Sequence, residues 1–185
     1  MDYQNIIQEL KQAAEGFFAL KRDLFEKTLG VIIESLRAGH KILVFGNGGS
    51  AAQAQHFAAE LVNKFLEIRP AIRAISLTTD TSSLTSIAND TSFDYVFSRQ
   101  IEALGEEGDV AIALSTSGNS SNVIEAVKVA KKMKIVTVAF TGNGGGDLAP
   151  FADYLLDVPS ESTPRIQEVH LILLHLLAQE IEKRI

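Results

Sequence analysis

The chain has 185 residues, which favours one domain with a sizeable buried core. Its 17 Lys and Arg residues against 23 Asp and Glu give a net charge of −6, and no long basic run is present, so binding to nucleic acid or to a membrane surface is disfavoured. The absence of cysteine excludes disulfides, thiol nucleophiles and cysteine-based zinc sites, so any metal must be held by His, carboxylate or amide groups. The apolar runs are too short to span a membrane. The N-terminal residues lack the basic stretch followed by an apolar stretch that is typical of a leader peptide. Both features predict a soluble cytoplasmic protein.

The first forty residues have helical periodicity, with apolar residues at three- and four-residue steps. They predict one long helix or two, ending near Ala38-Gly39. After Gly39, short apolar strands are predicted at 41–45, 71–77, 109–114, 135–140 and 154–158. Helices are predicted at 50–65, 93–104, 123–132 and 164–183. This alternation is typical of βαβ units. We therefore expect a single α/β domain over 1–185: an N-terminal helical arm (1–38) and a core (41–185) with a central five-stranded parallel sheet between helices, a three-layer sandwich.

Glycine- and serine-rich loops follow two of the predicted strands. Gly46-Asn47-Gly48-Gly49-Ser50 precedes a helix, where free N–H groups and the helix dipole favour an anion, although a tight turn with a helix cap explains the same residues. The run Ser115–Ser121 offers several hydroxyls before another helix, and helix capping would explain only one of them. Neither loop contains Lys or Arg, so hydroxyls and backbone dipoles would have to hold a phosphate.

Residues of metal-ligand or acid/base type occur on two of the predicted helices. His56 and Glu60 lie four residues apart and share a helix face, as metal ligands or as a solvated pair. The C-terminal helix carries Gln167, His170 and His175 in an apolar run, where a histidine is either functional or a hydrogen-bonded core residue. Gln167 and His175 are about 12 Å apart along the helix, so they would reach one ligand only through long side chains or a neighbouring subunit.

Four segments together resemble the phosphoheptose isomerases, which are SIS-domain enzymes with a flavodoxin-like fold acting on sedoheptulose 7-phosphate. These segments are GNGGSAAQAQHFAAEL (46–61), SIANDTSFDYVFSRQ (86–100), GDVAIALSTSGNSSNVIEA (108–126) and RIQEVHLILLH (165–175). The resemblance extends over almost the whole chain. One departure is Pro164, because some family members carry an acidic residue there, and no role is assigned to it.

The resemblance implies a cytoplasmic isomerase that forms D-glycero-D-manno-heptose 7-phosphate, the first step toward ADP-heptose and the lipopolysaccharide core. It also implies one zinc ion per subunit and a homotetramer with active sites near subunit interfaces. Glu60 and His175 match the catalytic pair. The residues matching metal ligands are His56, Glu60, Gln167 and His175. The residues matching substrate contacts are Asn47, Gly48, Gly49, Ser50, Glu60, Asn89, Asp90 and Gln167, with Ser115, Thr116, Ser117 and Ser120 on the phosphate.

These residue types suit aldose–ketose isomerisation, in which a proton moves between two neighbouring carbons. A carboxylate such as Glu60 suits proton abstraction from carbon, and an imidazole such as His175 suits proton transfer at the oxygens. A divalent metal would stabilise the negative oxygens of an enediolate. Two rival interpretations remain: a non-catalytic SIS-domain protein (a sugar-phosphate sensor or a partner of the replication initiator) and an isomerase of another sugar phosphate. The first is disfavoured because such proteins lose the acid and the C-terminal histidine.

Overall fold

The computed structural model describes residues 3–185. Six α-helices and five strands alternate along these residues, with short 3₁₀ turns at Phe93–Tyr95 and Gly146–Phe151. The helices are α1 (Tyr3–Arg37), α2 (Gly49–Val62), α3 (Thr81–Asp90), α4 (Ser98–Leu104), α5 (Ser121–Lys132) and α6 (Thr163–Arg184). The strands are β1 (Ile42–Gly46), β2 (Ala74–Ser76), β3 (Val110–Ser115), β4 (Val136–Thr141) and β5 (Tyr154–Asp157).

The five strands form one parallel sheet in the order β2-β1-β3-β4-β5. The chain first moves to one side of β1 and then crosses back to build the other side, so the strand order reverses at the β1–β3 boundary. Ligands of open parallel sheets bind at the carboxyl ends of the strands near such a reversal. The paired register of Gly46 with Leu114 places the loops after β1 and β3 side by side there.

Side chains alternate between two apolar layers, one on each face of the sheet. On one face, α1, α2 and α6 cover residues such as Val44, Ile112 and Phe140. On the other face, α4 and α5 cover residues such as Phe45 and Ala113. Strands buried on both faces are expected when helices flank a parallel sheet on both sides, and the predicted three-layer arrangement is confirmed.

The N-terminal segment forms one helix rather than two. From Ala13 onward, one side of this helix is buried against the core through residues such as Phe17, Leu29 and Ile32. Its first half leaves Tyr3 and Ile7 more than half exposed. None of the helices described between residues 3 and 185 has the length and apolar character needed to cross a lipid bilayer.

Several element boundaries differ from the sequence expectations. The expected turns after β2 contain α3, whose first turn is capped by Asp80 accepting from the backbone N–H groups of Ser82 and Ser83 at 3.0 and 3.2 Å. Helix α2 ends at Val62 rather than near residue 65, and the expected helix 93–104 is a 3₁₀ turn followed by the shorter α4. Side-chain capping and tertiary packing determine where these helices begin and end. Neither can be predicted from the spacing of apolar residues in the sequence.

Candidate active site

The loop after β1 is joined to the N-terminal end of α5 by a reciprocal amide pair. Asn47 donates to Asn122 at 2.8 Å, and Asn122 donates back at 2.9 Å. Asn122 is buried, so it holds Asn47 in a fixed place. Gly48 adopts a φ of 54°, a conformation that favours glycine, and the chain then enters α2. The two loops are therefore joined to each other at the carboxyl ends of β1 and β3.

The serine loop, residues 115–121, brings two of its hydroxyls together, and that of Ser121 bonds the Asp94 carboxylate instead. The Ser115 hydroxyl lies 3.3 Å from that of Ser120, and the Ser117 hydroxyl accepts from the backbone N–H of Asn119 at 3.1 Å. Thr116 accepts the N–H of Gly142 through its carbonyl, which fixes this loop to the one after β4. The loop thus presents the neighbouring hydroxyls of Ser115 and Ser120 at the start of a helix, a setting that suits a phosphate.

A cavity of about 220 Å³ opens beside the serine loop. Among the residues described, its lining combines hydroxyl and amide groups with one carboxylate, that of Glu161. The residues that line it are Thr116, Ser117, Asn143, Ser160, Glu161, Thr163 and Ile166.

His56, Glu60 and His175 come together from α2 and α6, although 119 residues separate the two histidines. Their Nε2 atoms lie 2.9 Å apart, and the Glu60 carboxylate is 3.4 Å from His56 Nε2. The imidazole of His175 is stacked on the ring of Phe65, with centroids 5.4 Å apart and planes 27° apart. The two residues expected to form the catalytic pair therefore belong to one side-chain cluster.

The environment of His175 favours its neutral form. Burial lowers the pKa of this imidazole, the neighbouring His56 lowers it further, and the Glu60 carboxylate opposes both effects. A neutral imidazole beside a carboxylate is equipped to accept a proton and to return it.

The side chain of Gln167 lies at the start of α2 rather than beside His175. A Cβ placed at Gly49 would be 2.7 Å from Gln167 Nε2, so a larger residue there would displace this amide. The backbone carbonyl of Gln167 accepts from Gln53 at 2.7 Å, which ties α6 to α2. About 10 Å of helix separates Gly49 from His56, so metal ligation by Gln167 stays a prediction.

The types of the donor atoms suit a zinc ion. Two imidazole nitrogens bound to one tetrahedral zinc, each at about 2.0–2.1 Å, lie roughly 3.3 Å apart. The observed separations of 2.9 Å for His56–His175 and 3.4 Å for His56–Glu60 are close to that value. Within residues 3–185, however, no group of three or more His, Cys, Asp or Glu side chains is arranged, as it stands, to hold a metal ion.

Asn89 and Asp90 lie at the end of α3, where Asn89 donates to the Asp90 carboxylate at 2.8 Å. Asp90 lines a different cavity, of about 440 Å³, together with Tyr95 and Arg99. Neither residue bonds the serine loop among the contacts of residues 3–185, and their contact with substrate stays a prediction.

Two residues near the site were not singled out from the sequence. Asn122 holds Asn47, and Phe65 packs on His175. Asn122 stands in the first turn of a helix that follows a polar loop, where a polar residue is ordinary and nothing marks its amide as buried. Phe65 likewise gave no signal, because it has the pattern of an ordinary apolar residue.

Comparison with known proteins places the chain in a family. The SIS domain model matches residues 5–142. A phosphoheptose isomerase of Desulfovibrio desulfuricans is 53% identical over 165 residues, which are 89% of this chain and 79% of the relative. The solved structure of phosphoheptose isomerase GmhA from Neisseria gonorrhoeae is 42% identical with a TM-score of 0.91, covering 98% of this chain and 97% of that one. That of the Francisella tularensis enzyme is 33% identical with a TM-score of 0.94, over 98% and 96% of the two chains. The chain belongs to the SIS domain family and, within it, to the phosphoheptose isomerases.

Proposed function

We propose that this protein isomerises sedoheptulose 7-phosphate to D-glycero-D-manno-heptose 7-phosphate. The observation that carries the proposal is the cluster of His56, Glu60 and His175, built on helices that also border the two polar loops. The relatives named phosphoheptose isomerase support it, since they match most of this chain. We place the reaction at the first step toward ADP-heptose for the lipopolysaccharide core.

The arrangement of the site suits a long, open-chain sugar phosphate. The serine loop would bind the phosphate through the hydroxyls of Ser115, Thr116, Ser117 and Ser120 and through the N-terminal end of α5. From the edge of the sheet, α2 extends about 10 Å between Gly49 and His56. A seven-carbon chain anchored at its phosphate would span that distance and bring its carbonyl end to the acid/base cluster.

The proton transfers follow from the two helices of the cluster. Glu60, a carboxylate with one-fifth of its side chain exposed, would remove the proton from C1 of the ketose and deliver it to C2. His175, held neutral, would move the proton between the two oxygens. The intermediate would be an enediolate.

We propose that a zinc ion is bound by His56, Glu60 and His175. Gln167, the fourth ligand that the resemblance implies, would have to swing from its place beside Gly49 to reach the ion. When bound, it would act as a Lewis acid toward the sugar oxygens. A chelator should then abolish activity and zinc should restore it, with zinc content per subunit measured by mass spectrometry alongside. Full activity in protein shown to be metal-free would overturn this assignment.

We propose further that the protein is a cytoplasmic homotetramer with active sites near subunit interfaces. Support comes from the start of α1, where Tyr3 and Ile7, one turn apart on the same face, are 62% and 61% exposed. Apolar side chains repeated along one helix are typical of a surface that another subunit covers. Sedimentation should give the tetramer at micromolar concentration, whereas a monomer would contradict this proposal.

The decisive experiment is an aldose–ketose assay with a panel of phosphorylated sugars of five to seven carbons. We expect turnover to be fastest with sedoheptulose 7-phosphate. Faster turnover with another member of the panel would redirect the substrate assignment. Tight binding of a sugar phosphate without turnover, in metal-loaded protein, would instead favour the non-catalytic sensor.

A further inference from the structure

The segment between α2 and β2, residues 63–73, contains no helix or strand, yet it carries the ring that packs on His175. A buried carboxylate from α6 holds residues 65–67 of this segment. Glu182 accepts the backbone N–H of Phe65 at 3.0 Å through one oxygen, and those of Leu66 and Glu67 at 2.8 and 3.0 Å through the other. Its side chain is only 2% exposed.

Burial alone would raise the pKa of Glu182, but the three N–H donors and the nearby Arg69 bring it below its ordinary value. Glu182 is therefore an anion at neutral pH. A buried anion with three backbone donors fixes the path of those residues more tightly than apolar packing would, because each hydrogen bond has a preferred direction.

Arg69, in the same segment, joins this anion to the C-terminal end of α2. Its guanidinium donates to the carbonyl of Glu60 at 2.7 Å and to that of Leu61 at 2.7 Å, and its Nε lies 3.4 Å from Glu182. The last turn of α2 contains no basic residue of its own, so Arg69 supplies donors to carbonyls that the helix leaves unpaired. One of these carbonyls belongs to the proposed base.

The two helices that carry the acid/base cluster are thereby cross-connected. On α6, His175 and Glu182 are seven residues apart, close to two full turns, so they share a face of the helix. Arg69 donates to the backbone carbonyl of Glu60, which lies on α2. Between them, Phe65 has its backbone held by Glu182 and its ring stacked on His175.

We infer that Glu182 and Arg69 are positioning residues for catalysis, and that Glu182 acts through Phe65 to hold the imidazole of His175 in its working orientation. This inference rests on the proposed isomerisation. The Arg69 guanidinium meets Glu60 only at its backbone carbonyl, and Glu182 reaches His175 only through Phe65. Removal of either residue is expected to slow the chemical step without weakening substrate binding.

The test compares Glu182→Gln with Glu180→Gln, a control on the same helix whose carboxylate bonds Lys183 and Arg184 at the surface. We expect Glu182→Gln to lower kcat about 10- to 100-fold with KM changed less than about threefold, as for a residue that orients a catalytic group. Glu180→Gln should leave both within about twofold. A folded Glu182→Gln variant with kcat near the parent value, or with KM raised as much as kcat falls, would overturn the inference.

A second pair of variants tests the same connection where Glu182→Gln fails to fold. Phe65→Leu removes the aromatic ring, whereas Phe65→Tyr keeps it. We expect Phe65→Leu to lower kcat about tenfold or more and Phe65→Tyr to restore it to near the parent value. Equal kcat values for the two variants would contradict a role for the stacked ring.

A spectroscopic measurement separates failure of this inference from failure of the proposed function. In histidine-labelled protein, the ring protons of His175, assigned by their absence in His175→Gln, should feel the ring current of Phe65. Phe65→Leu should shift them, Glu182→Gln should shift them in the same direction, and Glu180→Gln should not. This comparison is valid even if the parent protein turns over none of the sugars. Unchanged His175 signals in folded Glu182→Gln would overturn the inference.

Discussion

The serine loop and the His56–Glu60–His175 cluster differ in how their parts are brought together. The hydroxyls of Ser115 and Ser120 are five residues apart in the chain, whereas His56 and His175 are 119 apart. The loop takes its shape from its own backbone at the end of a strand. The cluster depends on how α2 packs against α6 and on a segment that Glu182 holds. A local loop is suited to binding, and a cluster between two helices depends on distant contacts for its geometry.

This comparison predicts different kinetic effects for substitutions in the two regions. The largest should come from Glu60→Gln, which keeps the shape of the side chain but removes the proposed base. We expect kcat to fall about 10²- to 10⁴-fold with KM changed little. Steady-state kinetics on protein with a parent-like circular dichroism spectrum will measure it. Glu107→Gln is a matched control, since Glu107 pairs with Lys134 on the surface just before β3. This pair lies at the amino end of the strand, opposite the end that carries the polar loops. Turnover of Glu60→Gln near that of the control would remove Glu60 as the base.

The next largest effect is expected in the serine loop, and it should appear in KM. A hydrogen bond to a charged group contributes about 1.5–3 kcal/mol, so Ser117→Ala or Ser120→Ala should raise KM roughly tenfold or more while kcat stays within about threefold. Ser82→Ala, on the exposed part of α3, serves as control. If KM is unchanged in both loop variants, the phosphate binds elsewhere.

A smaller effect should come from the contact that connects the two polar loops. Both hydrogen bonds run between the side chains of Asn47 and Asn122, so replacing either residue with Ala should remove both bonds. The double variant should then raise KM little more than either single variant, with a coupling energy of about 0.5–3 kcal/mol. Strictly additive effects on KM would mean that the two amides act independently.

The sequence was most informative where structure is local. The strands, the polar loops after β1 and β3 and the face shared by His56 and Glu60 follow from short patterns, and all lie near their expected positions. The approach of His175 to His56 required knowing that α6 packs against α2. Helix α3 was missed because its apolar residues Leu84, Ile87 and Ala88 are embedded in serine and threonine, and the capping carboxylate of Asp80 was read as part of a turn.

The C-terminal helix also shows how far the sequence can predict a site, because it carries two histidines whose roles the sequence alone does not distinguish. His175 reaches the cluster, whereas His170 is fully buried and donates to the carbonyl of Thr141 at 3.0 Å. Its Nδ1 has no hydrogen-bond partner within residues 3–185. His170 is therefore the hydrogen-bonded core residue that one interpretation of this helix foresaw. Its substitution should have the smallest effect on catalysis of those considered, with kcat and KM of His170→Phe within about twofold of the parent protein.

The signature of His170 should instead be the pH dependence of stability. Burial lowers the pKa of His170 to about 4, partly opposed by the hydrogen bond to Thr141, while an unfolded chain has a pKa near 6.5. The unfolded state binds the proton more readily than the folded state. The stability that the folded protein has with a neutral His170 is therefore present in full above pH 6.5 and is lost as the pH falls toward 4. Between pH 7 and pH 5 this removes about 2 kcal/mol from the free energy of unfolding. In urea titrations, His170→Phe should be less stable than the parent at pH 7, because the Thr141 carbonyl loses its donor, and the gap should narrow at pH 5. A gap that stays constant over this range would mean that His170 is not held neutral by its burial.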